Sequence, residues 1–191
     1  MIRPVTELTE KELKNKKVLL RVDFNVPVLN GKILDIYKIK ANKETIDYLV
    51  DRGAVITLLS HITPVESFEP LLEQIKTILE TENFSLYENV RKYKGEEDNN
   101  EEFARDLAKP FDIYVNNAFS ESHRNYASVT SVTEFLPSYA GLLLVKEIEN
   151  LGKVITSPKE GKTLIIGGAK VDVKFPVVEN FLDKSENILV G

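Results

Sequence analysis

The chain of 191 residues contains no cysteine. That excludes disulfide staples, thiolate metal sites and cysteine nucleophiles together, and suits a reducing compartment such as the cytoplasm. Long apolar runs are missing too: none approaches the roughly 20 residues that a membrane-spanning helix needs. Residues 1–17 alternate charged and apolar side chains, unlike a secretory signal, so no membrane association is expected. Nor is there a surplus of positive charge. The formal net charge is −5, which argues against nonspecific nucleic-acid binding yet leaves room for a local basic pocket around a small phosphate. The only two histidines, His61 and His123, lack the clustered further ligands of a zinc site, and no metal-ligating residue is assigned. Internal repeats and low-complexity tracts are absent as well.

What remains is an ordinary globular composition, 42% apolar and 29% charged, long enough for one domain, or for one domain and part of another. Short β-branched or leucine-rich runs alternate with helical periodicity. Strands are expected over residues 17–22, 54–59, 84–87 and 111–115, and helices over 40–51, 68–81 and 100–109. The fold class is therefore α/β, a Rossmann-like wound, mostly parallel sheet with helices on both faces. A long amphipathic helix is expected over residues 139–155, entered just after Pro137, and the Ser157-Pro158-Lys159-Glu160-Gly161 break reads as a linker. One β-α-β unit follows, over residues 163–166, 171–182 and 187–190. A single such unit cannot bury a domain core by itself. The expected organisation is thus a first α/β domain over 1–138, a helix and linker over 139–161, and an incomplete second unit over 162–191.

Polar residues gather just past the strands, where wound parallel sheets bind ligands. In RVDFNVPV (residues 21–28) the strand period of two puts Arg21, Asp23 and Asn25 on one side and Val22 and Phe24 on the other. Such a triplet could hold a hydroxylated anion, though spacing alone equally allows an Arg21–Asp23 pair followed by an asparagine turn. His61 follows the second strand directly. His123 and Arg124 lie in the donor-rich loop after the strand over 111–115, NNAFSESHR, which suits an anion. In IIGGAKVDVKF (residues 165–175), Gly167, Gly168 and Lys170 form a strand-to-helix turn with Lys174 one helical turn on; backbone N–H groups, a helix start and two lysines favour phosphate. Neither G-x-x-x-x-G-K-[ST] nor G-x-G-x-x-G is present, so spacing supports an anion-binding turn as readily as a plain tight turn.

Taken together, RVDFNVPV, Ser60-His61, YENVRKYKGEE (87–97), DIYVNNAF (112–119), HRNYAS (123–128), FLPSYAG (135–141) and GGAKVDVK (167–174) resemble phosphoglycerate kinases, in the family's order. The resemblance covers the family's first domain, its interdomain helix and the opening β-α-β of its second domain. It implies phosphoryl transfer between 1,3-bisphosphoglycerate and magnesium ADP in glycolysis, in the cytoplasm, with the glycerate on the first domain and the nucleotide on the second. Arg21, Asp23, Asn25, Lys38, His61 and Arg124 would bind 3-phosphoglycerate or 1,3-bisphosphoglycerate. Gly167, Gly168, Lys170 and Lys174 would bind ADP or ATP, with Lys170 and Lys38 as the catalytic cations and Mg2+ arriving with the nucleotide.

Several positions depart from the family pattern. Lys38 stands for an arginine, Ile62-Thr63-Pro64-Val65 for Leu-Gly-Arg-Pro, Glu160 for an arginine in the linker, Asn117 for an aspartate, and Val173 for an acidic residue. The segment between His61 and Tyr87 is also shorter. Three readings follow: a fragment or split half of a kinase, weak or inactive alone and in need of a complementary chain or self-association; a noncatalytic phosphoglycerate or nucleotide binder; and a purely structural or interaction protein that uses the fold.

Overall fold

The computed structural model describes residues 2–168 and 171–191, the side chains of residues 171–173 excepted. In chain order the elements are α1 (Glu10–Leu13), β1 (Lys17–Arg21), β2 (Val28–Leu29), β3 (Lys32–Ile33), α2 (Tyr37–Lys40), α3 (Lys43–Asp51), β4 (Val55–Leu59), α4 (Leu72–Leu79) and β5 (Ser85–Leu86). They continue with α5 (Lys94–Glu97), α6 (Glu101–Ala108), β6 (Ile113–Asn116), β7 (Ser138–Ala140), α7 (Leu142–Thr156), β8 (Thr163–Ile166), α8 (Val171–Phe181) and β9 (Asn187–Val190). Two compact units result, Met1–Glu147 and Ile148–Gly191. The division falls inside α7, ahead of the 157–161 break that the sequence marks.

In the first unit a five-stranded sheet runs in the order β5-β4-β1-β6-β7, every pairing parallel. β1 lies at its centre, and its Val18-Leu19-Leu20 run is fully buried, as a strand covered on both faces must be. Its alternation sorts the core. Val18 and Leu20 join Ile56, Leu58, Ile113 and Val115 on one face, packed with Ile46, Leu49 and Ile75 from the helices. Leu19 joins Leu59 and Tyr114 on the other, against Leu107 and Val132. Burying each of these side chains contributes on the order of 1.5–3 kcal/mol. Helix starts are fixed locally: Thr9 and Glu12 form a reciprocal capping box on α1, and the Asn100 carboxamide accepts from the Phe103 N–H on α6.

The expected wound sheet is present, with two local differences. Residues 138–140 form strand β7 beside β6 rather than the start of a long helix, because Gly141 N–H closes onto the Asn116 carbonyl at 2.8 Å before α7 begins. The helix expected over 40–51 divides into α2 and α3 around Ala41 and Asn42. The second unit is a β-α-β motif as expected, β8 and β9 pairing in parallel from Thr163↔Asn187 to Ile166↔Val190.

A buried polar knot starts α7. The Asn117 carboxamide oxygen accepts from Thr45 Oγ1 (2.9 Å) and the Leu143 N–H (3.1 Å), Thr45 Oγ1 accepts from the Leu142 N–H (3.1 Å), and Asn117 Nδ2 donates to Asn42 Oδ1 (2.7 Å). Asn42 in turn donates from Nδ2 to the Lys38 carbonyl at 2.8 Å. Each asparagine thus has only one satisfied orientation. Asn117→Ala leaves Asn42 Oδ1, the Thr45 hydroxyl hydrogen and the Leu143 N–H without their partners, and should cost about 2–3 kcal/mol, read as a lowered urea midpoint at unchanged slope.

Candidate functional site

The carboxyl ends of β1, β4 and β6 converge, and the loops leaving them are stitched together. Ser60 Oγ, just past β4, accepts from the Phe24 N–H at 2.9 Å, and Asn25 Oδ1 accepts from the Thr63 N–H at 3.0 Å. The Val90 N–H reaches the Ser60 carbonyl at 3.1 Å, while Asn89 exchanges bonds with both the N–H and the carbonyl of Ile62.

Asp23 occupies the centre. Its carboxylate accepts from Ser120 Oγ (2.6 Å) and Lys38 Nζ (2.9 Å) at Oδ2, and from the Asn25 N–H (3.0 Å) at Oδ1. Burial would raise its pKa, but the bonds from Ser120, Lys38 and Asn25 and the Lys38 charge outweigh burial and hold the carboxyl below its ordinary range. Lys38 also donates to the Asn25 carbonyl at 3.3 Å and keeps about half of its side chain in solvent. A carboxylate has about four acceptor positions and an ammonium three donors. Asp23 therefore retains one acceptor and Lys38 one donor for a ligand. Beside them opens a cavity of about 170 Å³, lined by Lys38, Asn42, Asn117, Ser120 and Glu147 among others.

Val22 and Phe24 join Val18 and Leu20 in one core cluster, so the alternation that separates them from Arg21 continues past the end of β1; what the alternation does not reveal is that Arg21 is buried. The strand ends at Arg21, and its side chain follows the Leu19 face inward until it is wholly buried. There Nε donates to Ser128 Oγ (3.1 Å), Nη1 to the carbonyls of Val22 (2.6 Å) and Leu59 (3.3 Å), and Nη2 lies 3.4 Å from His61 Nδ1. Four of its five N–H donors are directed at protein groups, so Arg21 braces the strand ends. Asp23 instead takes its partner from α2. Behind Arg21, Ser128 donates to buried Glu96 through Oγ (2.6 Å) and through its N–H (2.9 Å), and Tyr114 Oη donates to the Ser128 carbonyl (2.7 Å). Burial raises the Glu96 pKa against the pull of Ser128 and Arg21.

An arginine has no acceptor, so the nitrogen it faces on His61 must be the bare one, which leaves Nε2 as the N–H of the neutral ring. Burial first, then the positive charges of Arg21 and Arg91, lower the His61 pKa from 6.5 to about 4. At neutral pH His61 is thus an uncharged donor. His123 and Arg124 are exposed on the loop after β6, Arg124 with its guanidinium 5.7 Å from the Tyr126 ring centre.

In the second unit Gly167 and Gly168 follow β8, and Gly168 adopts φ +107°, a backbone region that favours glycine. Lys174 Nζ donates to the Gly167 carbonyl, folding back onto the turn. Lys170 lies outside the described residues. Sequence reasoning missed Ser120, Ser128, Glu96 and Asn89. Ser120 at least sits in the loop whose donors stood out.

These strand-end residues belong to a chain matched nearly throughout by one family profile, phosphoglycerate kinase, over residues 8–82 and 65–191. The chain belongs to the phosphoglycerate kinase family. A phosphoglycerate kinase of Bartonella bacilliformis is 40% identical over 213 aligned positions, covering 96% of this chain and 53% of that protein. One from Dictyoglomus turgidum is 38% identical, covering 99% and 55%. The phosphoglycerate kinase structure from Coxiella burnetii superposes on the whole chain with a TM-score of 0.87 at 32% identity, and that from Pyrococcus horikoshii with 0.88 at 28%; 55% of each is covered. The chain thus spans about half the length of the phosphoglycerate kinases it matches.

A neutral buried histidine stabilises the fold fully above its unfolded pKa and progressively less below it. His61 accordingly contributes stability at pH 7 that is lost as pH falls from about 6.5 to about 4. In His61→Gln that segment of the stability–pH curve should flatten, as measured by urea unfolding between pH 4 and 7.

Proposed function

We propose that the first unit binds the glycerate substrate of phosphoglycerate kinase, 3-phosphoglycerate or 1,3-bisphosphoglycerate. The observation that carries this reading is the Asp23 carboxylate held between Lys38 and Ser120, with one acceptor and one cationic donor to spare where the loops after β1, β4 and β6 meet. Asp23 would take a substrate hydroxyl, Asn25 a second polar group, and Lys38, the His61 Nε2–H and Arg124 the anionic groups. The Gly167–Gly168 turn with Lys170 and Lys174 would receive the phosphates of ADP or ATP.

On this reading the reaction is phosphoryl transfer from the acyl phosphate to ADP. The protein does little covalent work in such a transfer; positioning and neutralisation of the phosphoryl charge do most of it. Lys38 and Lys170 are the cations for that role. Family members use a magnesium nucleotide, yet among the described residues no three His, Asp or Glu side chains gather as metal ligands. The ion would therefore travel with the nucleotide phosphates, as Mg2+ commonly does, and no step is assigned to a protein-held metal.

Turnover by this chain alone is expected to be weak or absent. The second unit leaves Ile165 and Val190 of its two-stranded sheet about three-quarters exposed, and Phe175, Leu182 and Leu189 more than half. Apolar side chains so exposed are covered in a working enzyme, whether by further residues of the same polypeptide, by a complementary chain or by a second copy. Where a second copy covers them, size-exclusion chromatography should show self-association as concentration rises, and a clean monomer throughout would count against self-association. Calorimetry should detect 3-phosphoglycerate binding that Asp23→Ala weakens about tenfold or more. A coupled kinase assay, with Lys170→Ala as the control for contaminating host enzyme, should give little or no variant-sensitive turnover. Absence of 3-phosphoglycerate binding would overturn the glycerate reading.

A further inference from the structure

Outside the residues already assigned, one cation stands close to the site with most of its donors unspent. Arg91 follows Asn89 and Val90 in the short turn over 90–92. Its backbone is pinned to the His61 strand end from two sides: the Val90 N–H bonds the Ser60 carbonyl at 3.1 Å, and Asn89 Oδ1 accepts from both the Ile62 N–H (3.3 Å) and the Arg91 N–H (3.2 Å). Any movement of the His61 loop therefore carries Arg91 with it.

The side chain is held from behind. Nη1 pairs with Glu97 Oε1 at 2.9 Å, and the guanidinium carbon lies 5.0 Å from the centre of the Tyr126 ring. Tyr126 Oη donates to the same Glu97 oxygen at 3.4 Å. The second guanidinium at that ring, 5.7 Å from its centre, is Arg124. One aromatic face can attract a cation, but two guanidiniums sharing a single ring repel each other, and Glu97 neutralises only one of them. The other carboxylates nearby are engaged: Asp23 by Lys38 and Ser120, and Glu96 by Ser128.

The contrast with Arg21 shows what this arrangement is for. Arg21 is wholly buried and directs Nε, Nη1 and Nη2 at protein acceptors or at His61. Arg91 has 31% of its side chain in solvent, uses a single nitrogen for an ion pair, and leaves Nε without an acceptor. Nε is buried, so the donors available to a ligand are those of the two Nη groups that Glu97 does not take. The positive charge of Arg91 also reaches the His61 ring, where with Arg21 it disfavours the imidazolium.

We propose that Arg91 pairs with Arg124 across Tyr126 to form an anion cradle beside His61, contacting the phosphate monoester of the glycerate ligand. The proposal rests on the glycerate reading above. It assigns Arg91 a direct contact, with Glu97 and Tyr126 as the positioning residues that aim it. A phosphate dianion offers several acceptor oxygens, enough to take one guanidinium fork from each arginine while His61 Nε2–H takes another.

The test is titration calorimetry of the full chain with 3-phosphoglycerate, D-glycerate and inorganic phosphate, for wild type, Arg91→Gln, Arg91→Lys and Arg124→Gln. Arg91→Gln should weaken 3-phosphoglycerate binding about ten- to hundredfold. Glycerate binding should be unchanged, and the salt dependence of the remaining affinity should be shallower. Arg91→Lys, which keeps the charge and loses the planar fork, should fall between wild type and Arg91→Gln. This conservative variant also carries the test if Arg91→Gln does not fold. Equal 3-phosphoglycerate affinity in wild type, Arg91→Lys and Arg91→Gln, with Arg124→Gln weakened, overturns the role of Arg91 and leaves the glycerate reading standing. Equal loss for glycerate and 3-phosphoglycerate also overturns it, since a structural lesion would act on both. Wild type that binds neither overturns the glycerate reading, and the cradle with it.

Discussion

The arrangement of the first unit turns on one buried cation. Arg21 carries its charge into the face of the sheet, where solvent cannot reach it, and an uncompensated charge in that position would cost several kcal/mol. Its compensation comes from four directions: the Val22 and Leu59 carbonyls, the Ser128 hydroxyl and the bare nitrogen of His61. Each partner is thereby fixed. The carbonyls tie the ends of β1 and β4 together, His61 is set as an uncharged Nε2–H donor, and Ser128 ties down the far end of the loop that carries Ser120 and Arg124. Glu96 completes the set through Ser128, so that a positive and a negative group face one hydroxyl with no direct pair between them. That anchor adds to the direct bond between Ser120 and Asp23, so the loop after β6 is held against the loop after β1 at two points.

A second chain of contacts governs Lys38. Asn117, at the end of β6, caps the start of α7 and orients Asn42, and Asn42 holds the carbonyl of Lys38. An aspartate at position 117 could still accept from Thr45 and Leu143, but it would set a second oxygen against Asn42 Oδ1. Asn42 could answer only by turning its amide and abandoning Lys38. Asn117 and Asn42 therefore work as a matched pair, which gives a physical reason for the asparagine at this position. Lys38 itself is a compact charge on a flexible stem, suited to sharing itself between Asp23 and a ligand, whereas a guanidinium would bind one planar partner in a fixed fork.

Much of the fold is legible in the sequence, because burial on both faces of a parallel sheet writes itself as continuous apolar strands such as residues 17–21 and 55–59, and amphipathic helices write themselves at a period near four. β7 escapes that reading: Ser138, Tyr139 and Ala140 are too few to show alternation, and only pairing with β6 makes them a strand. At the site, the positions of Asp23, Asn25 and His61 follow from strand ends alone. At Arg21 the period of two gives the right partition, with Val22 and Phe24 in the core beside Val18 and Leu20, but not the burial of the guanidinium, which depends on acceptors such as Leu59 and Ser128 far away in sequence. Ser120 and Ser128 are hidden for the same reason. A hydroxyl's role depends on which group it meets across the fold, here 97 and 107 residues away in sequence, and no local pattern records that.

Family membership and this geometry carry different weights. The glycerate proposal rests on strand-end loops whose groups, Asp23, Lys38, Ser120 and His61, are held by bonds within the first unit. Phosphoryl transfer asks more: a nucleotide phosphate must be delivered in line with the acyl phosphate, and cations must meet the charge as it moves. The first unit supplies Lys38 and, on the present proposal, Arg91 and Arg124, all of which act on the glycerate side. On the same proposal the nucleotide-side cations are Lys170 and Lys174, in a small unit that leaves Ile165, Leu189 and Val190 of its sheet exposed. On this proposal glycerate binding and turnover are separable, the first requiring only bonds that the first unit makes with itself, the second requiring a nucleotide site as well.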